Sequence, residues 1–165
     1  MSESPAGDGE GGGFLVDRTA GRLARWLRIL GFDTQYMPTC DAAAIARRAR
    51  QQGRTVVTRN GDLSERLGAK GILLTSGQIE EQIRQVVEEV GSENLAPFSR
   101  CNACNERLIP VPRESVEGRV PAYVYEHQKK FSMCPACGRY YWQGTHWRIM
   151  RQEIERILEN TGRYE

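Results

Sequence analysis

No stretch of the sequence approaches the run of about eighteen apolar residues that a membrane-spanning helix needs. A membrane partner is therefore not expected. The first residues, 1–13, are mostly Gly, Ser, Glu and Asp, with neither a positive n-region nor an apolar h-region. That composition does not read as a secretory signal. It predicts a disordered leader and a cytoplasmic chain. Strong charge of either sign is missing too: the net charge is +2, so the chain as a whole makes no electrostatic argument for a polyanionic partner. Lysine is scarce. Of 23 basic residues only Lys70, Lys129 and Lys130 are lysines, and the others are arginines. Histidine is limited to His127 and His146, and neither has metal-ligand spacing to the cysteines described below. No internal repeat is present.

What remains is a chain of 165 residues, 39% hydrophobic and 27% charged. It is long enough for one domain with a core plus a small appended module. Its five cysteines carry the loudest signal. Four of them form two Cys-x-x-Cys pairs, Cys101 with Cys104 and Cys134 with Cys137. Each pair is a short knuckle that aims two thiolates at one point, and four sulfurs close a tetrahedral Zn²⁺ shell. Such a site has no open position for water, so the zinc is expected to be structural. A redox dithiol needs one such pair at a helix start, not two. Cys40 is left over and reads as a small, partly buried hydrophobe. From Phe98 onward 11 basic residues face 8 acidic ones, a local +3 compatible with nucleic acid.

Ahead of the knuckles, strand and helix patterns alternate four times. Phe14–Asp17, 33–37, Thr55–Thr58 and 71–75 read as strands. Leu23, Trp26, Leu27 and Leu30 mark one helix face, closed by Gly31. Asp41 reads as the N-cap of a helix to about Gln52, a short helix follows over 62–67, and a longer one over 78–90. The order predicts a parallel sheet flanked by helices. Residues 94–97 read as a linker, 108–111 and 120–125 as ribbon strands, and 147–158 as a C-terminal helix. The expected divisions are 1–13, 14–96, 97–146 and 147–165.

In an open parallel sheet, function gathers at the carboxyl ends of the strands. Asp17 ends the first strand, Asn60 and Asp62 follow the third, and Asp41 follows the second. Each acid alone reads as a helix cap. Together at one edge they would repel unless a hard cation such as Mg²⁺ or Mn²⁺ joins them. Arg18, Arg22, Arg25 and Arg28 follow helical spacing beside Asp17, and Arg47, Arg48 and Arg50 crowd the next helix. Such charges often form a plain solvated face, but next to an acidic metal site they would hold a phosphate backbone. The rings Tyr140, Tyr141, Trp142 and Trp147 read two ways. They stack on unpaired bases, or they cover the ribbon and dock it to the first half.

Several long motifs carry a resemblance. Phe14-Leu-Val-Asp-Arg-Thr-Ala-Gly-Arg-Leu-Ala-Arg-Trp-Leu-Arg-Ile-Leu-Gly31, Val57-Thr-Arg59, Pro97-Phe-Ser-Arg-Cys-Asn-Ala-Cys104, Val120-Pro-Ala-Tyr-Val-Tyr-Glu126 and Cys134-Pro-Ala-Cys-Gly-Arg-Tyr-Tyr-Trp-Gln-Gly-Thr-His-Trp147 resemble the Mut-seven C-terminal RNase domain family. The resemblance implies a PIN-like nuclease domain fused to a zinc ribbon. It implies an RNA-cleaving site in which Asp17, Asp41, Asn60 and Asp62 hold Mg²⁺ or Mn²⁺. Where the family pattern has an acid after the Thr-Arg pair, this chain has Asn60, with Asp62 two residues on. Arg18, Arg22, Arg25 and Arg59 would grip the RNA backbone, and Cys101, Cys104, Cys134 and Cys137 would hold the zinc. The rival expectation is a module that binds RNA, a ribosome or a protein complex without turnover. A third is a protein-interaction module with no nucleic-acid role.

Overall fold

Four strand–helix pairs succeed one another in the first half of the computed structural model, which describes residues 12–39, 41–68 and 71–159. They are β1 (Phe14–Asp17), α1 (Gly21–Ile29), β2 (Thr34–Met37), α2 (Ala42–Gln52), β3 (Thr55–Thr58), α3 (Gly61–Leu67), β4 (Gly71–Leu73) and α4 (Ile79–Val90). The strands pair in parallel in the order β2-β1-β3-β4, as strand–helix alternation requires. Residues 1–11 of the expected leader, and Cys40, lie outside the described residues.

Strand periodicity sorts the core into two layers. Phe14, Val16, Val57 and Ile72 face one way and pack with Leu23, Leu27, Ile83, Val86 and Val87 from α1 and α4. Leu15 and Val56 face the other way and meet Ile45 of α2 and Leu63 of α3. The sheet is thus covered on both faces, and its carboxyl ends form one open edge. Gly31 stops α1 at φ 96°, where a Cβ would also come within 2.3 Å of the Ala96 carbonyl oxygen.

That contact shows what residues 94–97 do. They do not run free. The Ala96 and Phe98 N–H groups donate to the carbonyls of Leu30 and Ile29 at 2.9 and 2.8 Å, clamping the segment to the end of α1. Beyond it, β5 (Ile109–Val111), β6 (Phe131–Met133) and β7 (Tyr140–Tyr141) form an antiparallel sheet in the order β5-β6-β7. The strand expected over 120–125 is instead a helical turn, α5 (Ala122–His127). Pro121 fixes φ at −55° and offers no N–H to a ladder, and its carbonyl accepts from the Tyr125 N–H at 3.0 Å. The partner of β5 is therefore 131–133. Finally α6 (Thr145–Glu159) folds back, and its Ile154, Ile157 and Leu158 join the core of α1 and α4. Arg84 Nε donates to the Ile157 carbonyl at 2.8 Å and Arg156 pairs with Glu80 at 2.5 Å.

Candidate functional site

Asp17 ends β1 at the open edge and is only 3% exposed. A buried carboxylate needs donors, and three are aimed at it. Oδ1 accepts from the Thr19 N–H (3.1 Å) and from Thr19 Oγ1 (2.5 Å), and Oδ2 accepts from Thr58 Oγ1 (2.7 Å). Each hydroxyl is used twice. Thr19 Oγ1 accepts the Arg59 N–H and Thr58 Oγ1 accepts the Asn60 N–H, both at 2.9 Å. Asp17 thus fixes the path of the chain as it leaves β3. Among the described residues no cation forms an ion pair with it. Sequence reasoning missed Thr19 and Thr58. The signal was there in Asp-x-Thr at 17–19 and Thr-x-Asn at 58–60, side chains that bond backbone two residues on.

Two of the other three edge residues cap helices. Asp41 Oδ1 accepts from the Ala44 N–H at 3.1 Å and opens α2. Asn60 Oδ1 accepts from the Asp62 and Leu63 N–H groups at 3.0 and 3.4 Å and opens α3. Asp62 sits exposed in the first turn of α3. Asp17, Asp41 and Asp62 do not draw together. Among the described residues the only cluster of three or more His, Cys, Asp or Glu side chains close enough for one ion is the four thiols. Arg18, Arg22, Arg25 and Arg59 are exposed. Arg28 is not part of that stripe. Its Nε donates to the Thr34 carbonyl at 2.9 Å, and its Nη1 donates to the carbonyls of Asn102 and Ala103 at 3.2 Å, inside the first knuckle.

The four thiols, Cys101, Cys104, Cys134 and Cys137, have sulfurs within 4.8 Å of one another and none forms a disulfide. They can hold a metal ion. Both knuckles are built alike. Cys101 and Cys134 donate their N–H to the carbonyls of Glu106 and Arg139, and Asn105 and Gly138 turn left-handed at φ 70° and 75°. The crowded sulfurs titrate unequally. Burial disfavours the Cys101 thiolate, but the Tyr141 hydroxyl at 3.1 Å and the knuckle N–H groups outweigh it, bringing its pKa down to about 7. The bond between Cys104 and Cys137, with burial and the nearby Cys101 charge, pushes Cys104 up to about 12. Without a cation the cluster resists carrying four negative charges.

Polar clips set the ribbon on the sheet domain. Asn105 Oδ1 accepts the Thr34 N–H at 2.8 Å, and its Nδ2 donates to Asp33 Oδ1 at 2.7 Å. Asp33 also pairs with Arg54 at 2.9 Å. Buried Arg100 donates to the Gly31 carbonyl at 3.1 Å and the Asn105 carbonyl at 3.0 Å. Phe98 and Trp147 rings meet 5.0 Å apart, so one of the expected stacking rings serves docking.

A covered parallel sheet with a polar carboxyl edge, joined to a four-thiol ribbon, defines an α/β domain carrying a metal-binding module. The family model of the Mut7-C RNAse domain matches residues 12–154. The chain belongs to the Mut7-C RNAse domain family. No curated protein and no solved structure matches it.

Proposed function

We propose that the chain is a metal-dependent ribonuclease that hydrolyses RNA phosphodiesters at the carboxyl edge of its sheet. The observation that carries this reading is Asp17, a buried carboxylate at that edge with hydroxyl and amide donors but no cationic partner among the described residues. Membership of an RNAse domain family supports it. The donor set does not make a closed cage, because Asp41 and Asn60 cap helices and the carboxylates stand apart. It fits a largely hydrated Mg²⁺ or Mn²⁺, which takes one or two carboxylates and keeps several waters. Asp17 would hold the ion directly, and Asp41, Asn60 and Asp62 would hold its water shell. Such an ion, when bound, activates water and stabilises the charge of a phosphoryl transition state. Arg18, Arg22, Arg25 and Arg59 are exposed, and on this reading they hold RNA phosphates.

The ribbon ion is zinc on this reading. Thiolates select it, and metal–sulfur bonds of about 2.3 Å give tetrahedral edges of about 3.8 Å. Cys101 and Cys137 sulfurs are 3.8 Å apart. The proposed ribbon, 97–146, presents RNA to the nuclease unit.

Cleavage of single-stranded and structured RNA in Mn²⁺ by wild type and Asp17→Asn tests the reading. Equal rates would remove Asp17 from the site. A second reading, an RNA- or ribosome-binding module without turnover, is favoured by the capping duties of Asp41 and Asn60. It predicts no Mn²⁺ binding at millimolar metal and RNA affinity that survives Asp17→Asn.

A further inference from the structure

We propose that the cleft between the ribbon sheet and α6 is a binding site for unpaired RNA, seating a base against Trp142 and phosphates on Lys129 and Lys130. The inference rests on RNA being the substrate. Two hollows carry it. The larger, of about 850 Å³, lies between the ribbon strands and the start of α6. The smaller, of about 620 Å³, opens between α1 and the knuckles. Tyr140, Tyr141, Trp142 and Asn102 line both, so the two share a wall.

Charge at this wall has one sign. Among the described residues no Asp or Glu lines either hollow. Arg113, Lys129, Lys130 and Arg151 line the larger, and Arg25, Arg119 and Arg139 the smaller. A chain with a net charge of only +2 has thus gathered cations here and kept acids away. Some of these cations are occupied. Arg113 donates to the Tyr125 carbonyl at 2.5 Å and lies 3.9 Å over the Tyr125 ring, and Arg151 pairs with Glu155. Lys129 and Lys130 are exposed and form no hydrogen bond or ion pair among the described residues. They directly precede Phe131, whose ring lies 6.3 Å from Trp142. Free charges at a rim and rings on a floor are the pattern that binds single strands: phosphates follow the charges and bases stack on the rings. The centre of a protein–protein interface is poor in lysine, whereas Lys129 and Lys130 both line this cleft. A duplex keeps its bases stacked on each other and offers none to a ring.

Arg25 links this wall to the helix that follows Asp17. It lines the smaller hollow and lies on α1, the helix that begins three residues after the Arg18 that follows Asp17. RNA crossing the Tyr140–Trp142 wall is led toward the sheet edge.

Anisotropy of a labelled single-stranded oligoribonucleotide and of its blunt duplex, measured with the full metal-loaded chain and no added Mg²⁺ or Mn²⁺, tests the cleft. Single strand is expected to bind at least about tenfold tighter than duplex. Lys129→Glu with Lys130→Glu should weaken it about tenfold or more and lower the slope of log K against log salt by about 1.4, two phosphate contacts. Trp142→Leu should weaken it roughly five- to a hundredfold without changing that slope, and Trp142→Phe should keep most of the affinity. Circular dichroism and ribbon metal content check folding, and if Trp142→Leu fails to fold, the exposed lysine pair decides. Wild-type affinity in the folded variants overturns the cleft, while RNA cleavage by the wild type in Mn²⁺ leaves the ribonuclease reading standing. Equal affinity for duplex overturns the seated base. If the wild type neither binds nor cleaves RNA, both readings fall.

Discussion

Asp17 keeps its carboxyl group under the surface with three hydrogen bonds and no cationic partner among the described residues. Removing the whole side chain takes the acceptor from two threonine hydroxyls and uncaps the turn at Arg18–Ala20. Asp17→Ala is expected to cost about 1–3 kcal/mol in urea unfolding. Asp17→Asn keeps an acceptor and the shape, so it separates charge from architecture. Asn105 is a second revealing residue. It combines a left-handed backbone with two side-chain bonds to Asp33 and Thr34. Asn105→Gly keeps the turn and loses the clip, and Asn105→Ala loses both. Thermal midpoints should fall in the order wild type, Gly variant, Ala variant. Its equivalent beside the second knuckle is Gly138, at φ 75°. The Asn105 clip was not legible in the sequence, because its partners lie some seventy positions earlier. Asp33 itself adds a pH dependence. Burial opposes its charge, but bonds from Arg54 and Asn105 outweigh burial and hold its pKa below the usual carboxylate range. A depressed folded value means stability that is present above the unfolded pKa of about 3.9 and is lost as pH falls through the folded value. The gap in urea midpoint between wild type and Asp33→Asn should be constant above about pH 5 and shrink below about pH 4.

Among the elements, α6 shows how a correct local reading still misses its context. Its apolar spacing marked a helix over 147–158, and one forms over Thr145–Glu159. Nothing in that spacing says it packs on α4, since the Arg84 bond to the Ile157 carbonyl joins residues far apart in the chain. Ile157 is fully buried there, and Ile157→Ala should cost about 2–5 kcal/mol in urea unfolding. In α5 the local reading failed. Val, Tyr, Val and Tyr over 120–125 have strand composition, but Pro121 and an early hydrogen-bonded turn prevail over it. The true ribbon strand, 131–133, is only three residues long and carried little pattern of its own.

At the scale of the molecule, the sheet and the thiol cluster were legible because both are written locally, in alternation and in Cys-x-x-Cys spacing. Whether the edge residues share an ion depends on where side chains point at strand ends, which spacing does not set. The thiol ion should hold the ribbon together. Chelation is expected to change the fluorescence of Trp142 and Trp147 while leaving most helical circular dichroism, because the parallel sheet has its own two-sided core. RNA cleavage in Mn²⁺ by wild type and Asp17→Asn, both shown to be folded, tests the carboxyl edge most directly. Wild type should cleave, and Asp17→Asn should lose about a hundredfold or more of the rate. Equal rates in two folded proteins would contradict a ribonuclease site centred on Asp17.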